Sequence, residues 1–147
     1  LCWSPDGGSI LMPVAGHGAD KGSGQGAVPS QQYSEKHSDW MPQVGTGDEG
    51  YRWRHLWIYE LASKKLRRIP TLGINIWEAV WCGNSGIAAI ASDQPGEEAW
   101  YSATVRHIHP HSGVAETLYK PRAQIAYLCA SPSGQTLALV SAISYQQ

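Results

Sequence analysis

Trp81-Cys82-Gly83-Asn84-Ser85-Gly86-Ile87-Ala88-Ala89-Ile90-Ala91 reads as a strand end, a tight turn and a second strand. Glycine and asparagine supply the backbone angles of a turn. The aliphatic run that follows does not alternate with polar residues, so both faces of that strand are expected to be buried. A helix does not fit, because the run is short, bounded by turn residues and without helical spacing. The same grammar recurs at Trp3-Ser4-Pro5-Asp6-Gly7-Gly8-Ser9-Ile10-Leu11 and at Ala130-Ser131-Pro132-Ser133-Gly134-Gln135-Thr136-Leu137-Ala138.

A second element repeats in step with the first. Ile58-Tyr59-Glu60-Leu61-Ala62-Ser63-Lys64-Lys65-Leu66-Arg67-Arg68-Ile69 matches His107-Ile108-His109-Pro110-His111-Ser112-Gly113-Val114-Ala115-Glu116-Thr117-Leu118. Each reads as two strands joined by a hairpin of the two-residue type. Glu60 and His109 lie 49 residues apart, and so do Trp81 and Ala130. Two independent motifs thus share one period, and a period of this length with four strands per unit marks a β-propeller blade. The expectation is an all-β fold, a partial β-propeller of two to three four-stranded antiparallel blades.

The blades divide the chain at 1–70, 71–119 and 120–147, the last being only the start of a third. Both ends read as cuts through a longer protein. The first blade carries a long, polar, Gly-rich insertion over about 15–54, where the second has only Ser92-Asp93-Gln94-Pro95-Gly96-Glu97-Glu98. Insertions of that length in compact domains are usually functional or mobile.

Composition agrees with a strand-rich, turn-rich chain. Of 147 residues, 16 are Gly and 9 Pro, and the aromatics are 7 Trp and 7 Tyr with no Phe. Broad rings favour pleated, half-buried surfaces. The net charge is −1, and no basic stripe rises above Lys64-Lys65 and Arg67-Arg68. Nucleic acid is therefore not an expected partner. No apolar stretch spans a bilayer, so no membrane partner is expected either. The three cysteines, Cys2, Cys82 and Cys129, lack metal-site spacing and sit in or beside apolar strands. They read as small buried hydrophobes, which favours a reducing, cytoplasmic location.

The Trp-Ser-Pro-Asp-Gly turn with its aliphatic strand, followed by Leu56-Trp57-Ile58-Tyr59-Glu60-Leu61 and Leu66-Arg67-Arg68-Ile69, resembles a known pattern. It is similar to the propeller of prolyl oligopeptidase-family serine peptidases, in the dipeptidyl aminopeptidase and acylaminoacyl-peptidase branch. It also resembles TolB-like propeller repeats. The likeness covers nearly all of the chain except the insertion. It implies a non-catalytic propeller that gates peptide access to an α/β-hydrolase domain elsewhere in the same parent chain. Its alternative is a scaffold or protein-binding propeller with no enzymatic activity. No Gly-x-Ser-x-Gly occurs, and Ser23 in Gly22-Ser23-Gly24 fails the spacing, so no catalytic residue is assigned.

Four residues are candidates for holding a peptide substrate. The resemblance implies that paired glutamates, here Glu97 and Glu98, hold the substrate's amino-terminal ammonium. Two carboxylates in a low-dielectric cavity suit that cation, although a Glu pair in a Pro-Gly loop also suits plain solvated surface. Arg52 and Arg54, interleaved with Tyr51 and Trp53, could reach over a cavity or contact a partner domain. Against this, Trp53 could simply begin a buried strand. His107, His109 and His111 alternate, which would suit zinc or copper, but a polar hairpin explains them too. No metal and no cofactor are assigned.

Overall fold

The computed structural model describes residues 1–16, 53–84 and 86–142. They form ten β-strands and one four-residue helix. The first sheet holds β1 (Cys2–Trp3), β2 (Ser9–Ala15), β3 (Arg54–Glu60) and β4 (Lys65–Arg68). The middle sheet holds β5 (Asn75–Cys82), β6 (Gly86–Ser92), β7 (Thr104–Ile108) and β8 (Ala115–Tyr119). The last holds β9 (Gln124–Ala130) and β10 (Leu137–Ala142), and α1 (Glu97–Trp100) joins β6 to β7. Every pairing is antiparallel and follows chain order, so the sheets are meanders of four, four and two strands. The described residues do not close a ring of sheets.

The sheets stack face to face around β6, whose seven residues are all buried. Successive strand residues point to opposite faces. Ile87, Ala89 and Ala91 share one apolar cluster with Leu11, Leu56 and Ile58 of the first sheet. Ala88 and Ile90 share another with Ile125 and Leu128 of the last. The non-alternating sequence of β6 therefore reflects burial against two sheets. β10 has a similar sequence, but among the described residues only one of its faces is covered. Leu137 and Leu139 pack inward, whereas Ala138, Val140 and Ala142 are exposed.

The first and last turns share one hydrogen-bond pattern. Ser4 Oγ donates to Asp6 Oδ1 at 2.6 Å, and Ser9 N donates to Ser4 Oγ at 2.9 Å. In the last sheet Ser131 Oγ lies 3.1 Å from Ser133 Oγ, and Thr136 N donates to Ser131 Oγ at 3.2 Å. The hairpins after β3 and β7 are longer than the two-residue type expected. Glu60 pairs with Lys65 across a four-residue loop, and His109 N donates to Val114 O at 2.9 Å across another. The last loop residue is left-handed in both, Lys64 at φ 54° and Gly113 at φ 71°. Such longer loops, built on a turn closed by one left-handed residue, also match strand twist. A Cβ on Gly113 would meet the Pro70 carbonyl of the neighbouring strand connection, so that position needs glycine twice over.

Polar bonds join the sheets as well. Trp81 Nε1 donates to Cys2 O at 3.2 Å, and Arg67 Nη1 donates to Pro110 O at 2.6 Å, both linking the first sheet to the middle one. Glu78 links the middle sheet to the last. Its Oε1 accepts from Tyr127 N at 3.0 Å and its Oε2 from Leu128 N at 2.9 Å. Those amides belong to a bulge, where two residues of β9 face Leu139 alone, and Tyr127 is left-handed at φ 57°. A bulge leaves backbone donors without a ladder partner. Here a carboxylate from the adjacent sheet takes them.

Candidate functional site

The start of β5, the end of β6, the start of β7 and the start of β9 share one rim of the stack. The first sheet contributes Ala15 and Arg54 there, which are register partners at the open end of the β2–β3 hairpin. The long insertion thus leaves and returns at this rim. Most of its residues lie outside the described ones, and so does the candidate Arg52.

Arg54 is at the rim, half-buried at the first position of β3. Its guanidinium Cζ lies 4.8 Å from the centre of the Trp77 ring, close enough for a cation–π contact. Its amide donates to Asn75 Oδ1 at 2.7 Å, tying the first sheet to the middle one. The Asn75 side chain is fully buried, and its Nδ2 has no hydrogen-bond partner among the described residues. Trp77 occupies the bulge between Ile76 and Glu78, which turns its ring toward the rim. Its Nε1 donates to Ser92 Oγ at 2.8 Å, and that hydroxyl donates to Gln94 O at 2.6 Å. The Trp100 ring follows at 6.3 Å from Trp77, and Tyr101 at 6.0 Å from Trp100. A row of one cation and three aromatic rings therefore runs along this rim from the start of β3 past β5 to α1.

Glu97 and Glu98 sit beside that row in α1, a single helical turn in place of the loop expected from Pro95-Gly96. The turn forms because Ala99 N donates to Gly96 O at 3.0 Å. Glu98 is exposed. Among the described residues no ion pair links Glu98 to Arg54, so the structure brings these candidates to one rim without bringing them into contact. The basic side chain that does pair here is Arg106, whose Nη2 lies 2.8 Å from Asp93 Oδ1.

A concavity of about 410 Å³ adjoins the row where the middle sheet meets the last, lined by Trp100, Gln124, Tyr127 and Val140. Glu78 reaches its wall, but both carboxylate oxygens are already occupied by backbone amides. The space therefore offers aromatic and aliphatic surface with a primary amide, not a free acid.

The histidines lie elsewhere. His107 is in β7, and His109 and His111 belong to the following turn, at the opposite end of the strands. His109 Nδ1 accepts from His111 N at 3.4 Å and Ser112 N at 3.3 Å. That ring nitrogen is engaged in shaping the turn. Among the described residues no group of three His, Cys, Asp or Glu side chains is placed to hold a metal ion.

Sequence reasoning missed Trp77, Asn75 and Gln124. A signal existed at Trp77-Glu78, because Glu78 sets a charge inside a mostly apolar strand. No family model and no curated protein matches the chain. Among the described residues no helix is long and apolar enough to cross a membrane.

Proposed function

We propose that the chain is a run of β-propeller blades that gates peptide access to the hydrolase domain of a serine peptidase of the prolyl oligopeptidase type. The observation that carries this reading is the row Arg54–Trp77–Trp100–Tyr101 on the rim from which the insertion and α1 emerge. Aromatic rings beside a guanidinium suit an extended peptide, offering flat apolar area and a charged anchor at low entropic cost. The face-stacked meanders support the blade assignment, because blades are antiparallel sheets packed against their neighbours. The chain itself then contributes binding and access, while the nucleophile belongs to the α/β-hydrolase domain of the parent chain. The three free thiols suit a reducing compartment such as the cytoplasm.

The test uses the full-length parent protein. A fluorophosphonate probe should label one serine outside residues 1–147. Trp100→Ala should raise KM for peptide substrates with kcat nearly unchanged, as expected when binding common to ground and transition states is removed. No labelled serine, with the rim still capturing a protein partner, would replace this reading by a TolB-like scaffold.

A further inference from the structure

Charge along the rim has a direction. Three of the charged groups beside the aromatic row are already satisfied. Arg106 and Asp93 pair at 2.8 Å, and the two oxygens of Glu78 each accept a backbone amide. Arg54 and Glu98 make no ion pair among the described residues. Arg54 stands at one end of the row, against Trp77. Glu98 belongs to α1, which carries Trp100 and leads into Tyr101 at the other end. The row is therefore positive at its β3 end and negative at its α1 end.

The cation is also held in place. The Arg54 amide donates to Asn75 Oδ1 at 2.7 Å, and Asn75 is fully buried. The guanidinium carbon lies 4.8 Å from the centre of the Trp77 ring. A ring contact of this kind leaves the N–H groups of a guanidinium free to donate. Their planar fork matches the two oxygens of a carboxylate, and a side chain already placed loses little entropy on pairing.

We propose that Arg54 anchors the free C-terminal carboxylate of an extended peptide that runs along the row toward Trp100 and Tyr101. The proposal rests on the peptide-gating function above and adds the direction in which the peptide lies. The ring spacings of 6.3 and 6.0 Å are close to the ~6.6 Å between alternate residues of an extended chain, so alternate side chains would meet successive rings. A terminal carboxylate fits better than a side-chain acid, because Arg54 ends the row and the rings lie to one side of it. Glu98 has the sign that repels a carboxylate from the opposite end, which favours the same direction.

Isothermal titration calorimetry of the full-length parent protein tests this. Any serine that the fluorophosphonate probe labels is first replaced by alanine, so that bound peptide stays intact. The probes are Ala-Leu-Ala-Leu with a free C-terminus, the same peptide as its C-terminal amide, and amidated Ala-Leu-Ala-Glu. The free acid should bind about tenfold or more tighter than either amide, as a charge-assisted bidentate pair warrants. Arg54→Gln should erase that preference and leave the affinity for amidated Ala-Leu-Ala-Leu unchanged. Arg54→Lys should keep part of it, since a point charge replaces the fork. Four results overturn the inference: equal binding of acid and amide by the parent, a preference that survives Arg54→Gln, the Glu amide binding as tightly as the free acid, or no binding of any probe. None of them depends on hydrolysis. A labelled serine without an acid preference would leave the peptidase reading standing, whereas an acid preference without a labelled serine would place the anchor on a peptide-binding protein that is no peptidase.

Discussion

Glu78→Ala should destabilise the chain well beyond what an ordinary surface change does. The carboxylate accepts two backbone N–H groups from the next sheet, at 3.0 and 2.9 Å. Hydrogen bonds to a charged group contribute about 1.5–3 kcal/mol each. The Tyr127 amide is in an exposed residue, so water replaces much of its loss, whereas Leu128 is buried and its amide pays more fully. The sum is about 2–3 kcal/mol, or a fall in Tm of about 4–12 °C for a chain of this size. Glu78→Gln keeps one acceptor oxygen without the charge and should cost about half as much. Urea unfolding followed by tryptophan fluorescence measures both, with Glu116→Ala on exposed β8 as the reference, expected within about 0.5 kcal/mol of the parent. If Glu78→Ala falls within that reference range, the carboxylate does not hold the sheets together and the account of the bulge is wrong.

Three further outcomes are expected. Arg68 Nη2 lies 3.1 Å from both ring nitrogens of His55, and burial first, then the Arg68 charge, lowers the His55 pKa. The folded state then binds fewer protons than the unfolded one between the two pKa values. This contribution is present above the ordinary histidine value and is lost as pH falls through the folded value. His55→Gln should flatten that slope in a pH series of urea melts, and an unchanged slope would assign it to other groups. Asp6 is held below its ordinary value by the hydrogen bond from Ser4, then by that from Gly8, so its contribution disappears only in more acidic solution; Asp6→Asn should remove it. Gly7 and Gly134 share φ 73°, but only at Gly134 would a Cβ meet backbone, that of Cys82 and Gly83. Gly134→Ala should therefore cost about 1–3 kcal/mol more than Gly7→Ala, and equal costs would show that this close approach relaxes freely.

The strands were legible because their signals are local. The Ser-Pro-x-Gly turns and the aliphatic run of β6 specify hairpins without reference to the rest of the chain. The shared period aligned the middle and last sheets before any coordinates. The hairpin loops were less legible, because Lys64 adopts a left-handed conformation that lysine does not advertise. The apolar run of β10 resembles that of β6, but burial depends on what lies alongside, and among the described residues only one face of β10 is covered. The rim was half legible. Arg54 and the Glu97-Glu98 pair announced themselves by charge. Asn75 and Gln124 did not, since each becomes part of the rim only when strand starts from different sheets converge. Trp77 joins them only through a bulge that the sequence does not mark, where its ring packs on the edge of the core beside Arg54 and Trp100.

The central claim is that β6 is sandwiched between two other sheets, each touching alternate residues of one strand. Methyl–methyl nuclear Overhauser effects in the isotopically labelled chain measure this directly. The account predicts cross-peaks from Ile87 and Ala89 to Leu11, Leu56 or Ile58, and from Ala88 and Ile90 to Ile125 or Leu128, with none crossing between the sets. Both sets contacting the same sheet, or Ile90 showing no contact with Ile125 or Leu128 in the folded chain, would contradict the stacked-sheet architecture.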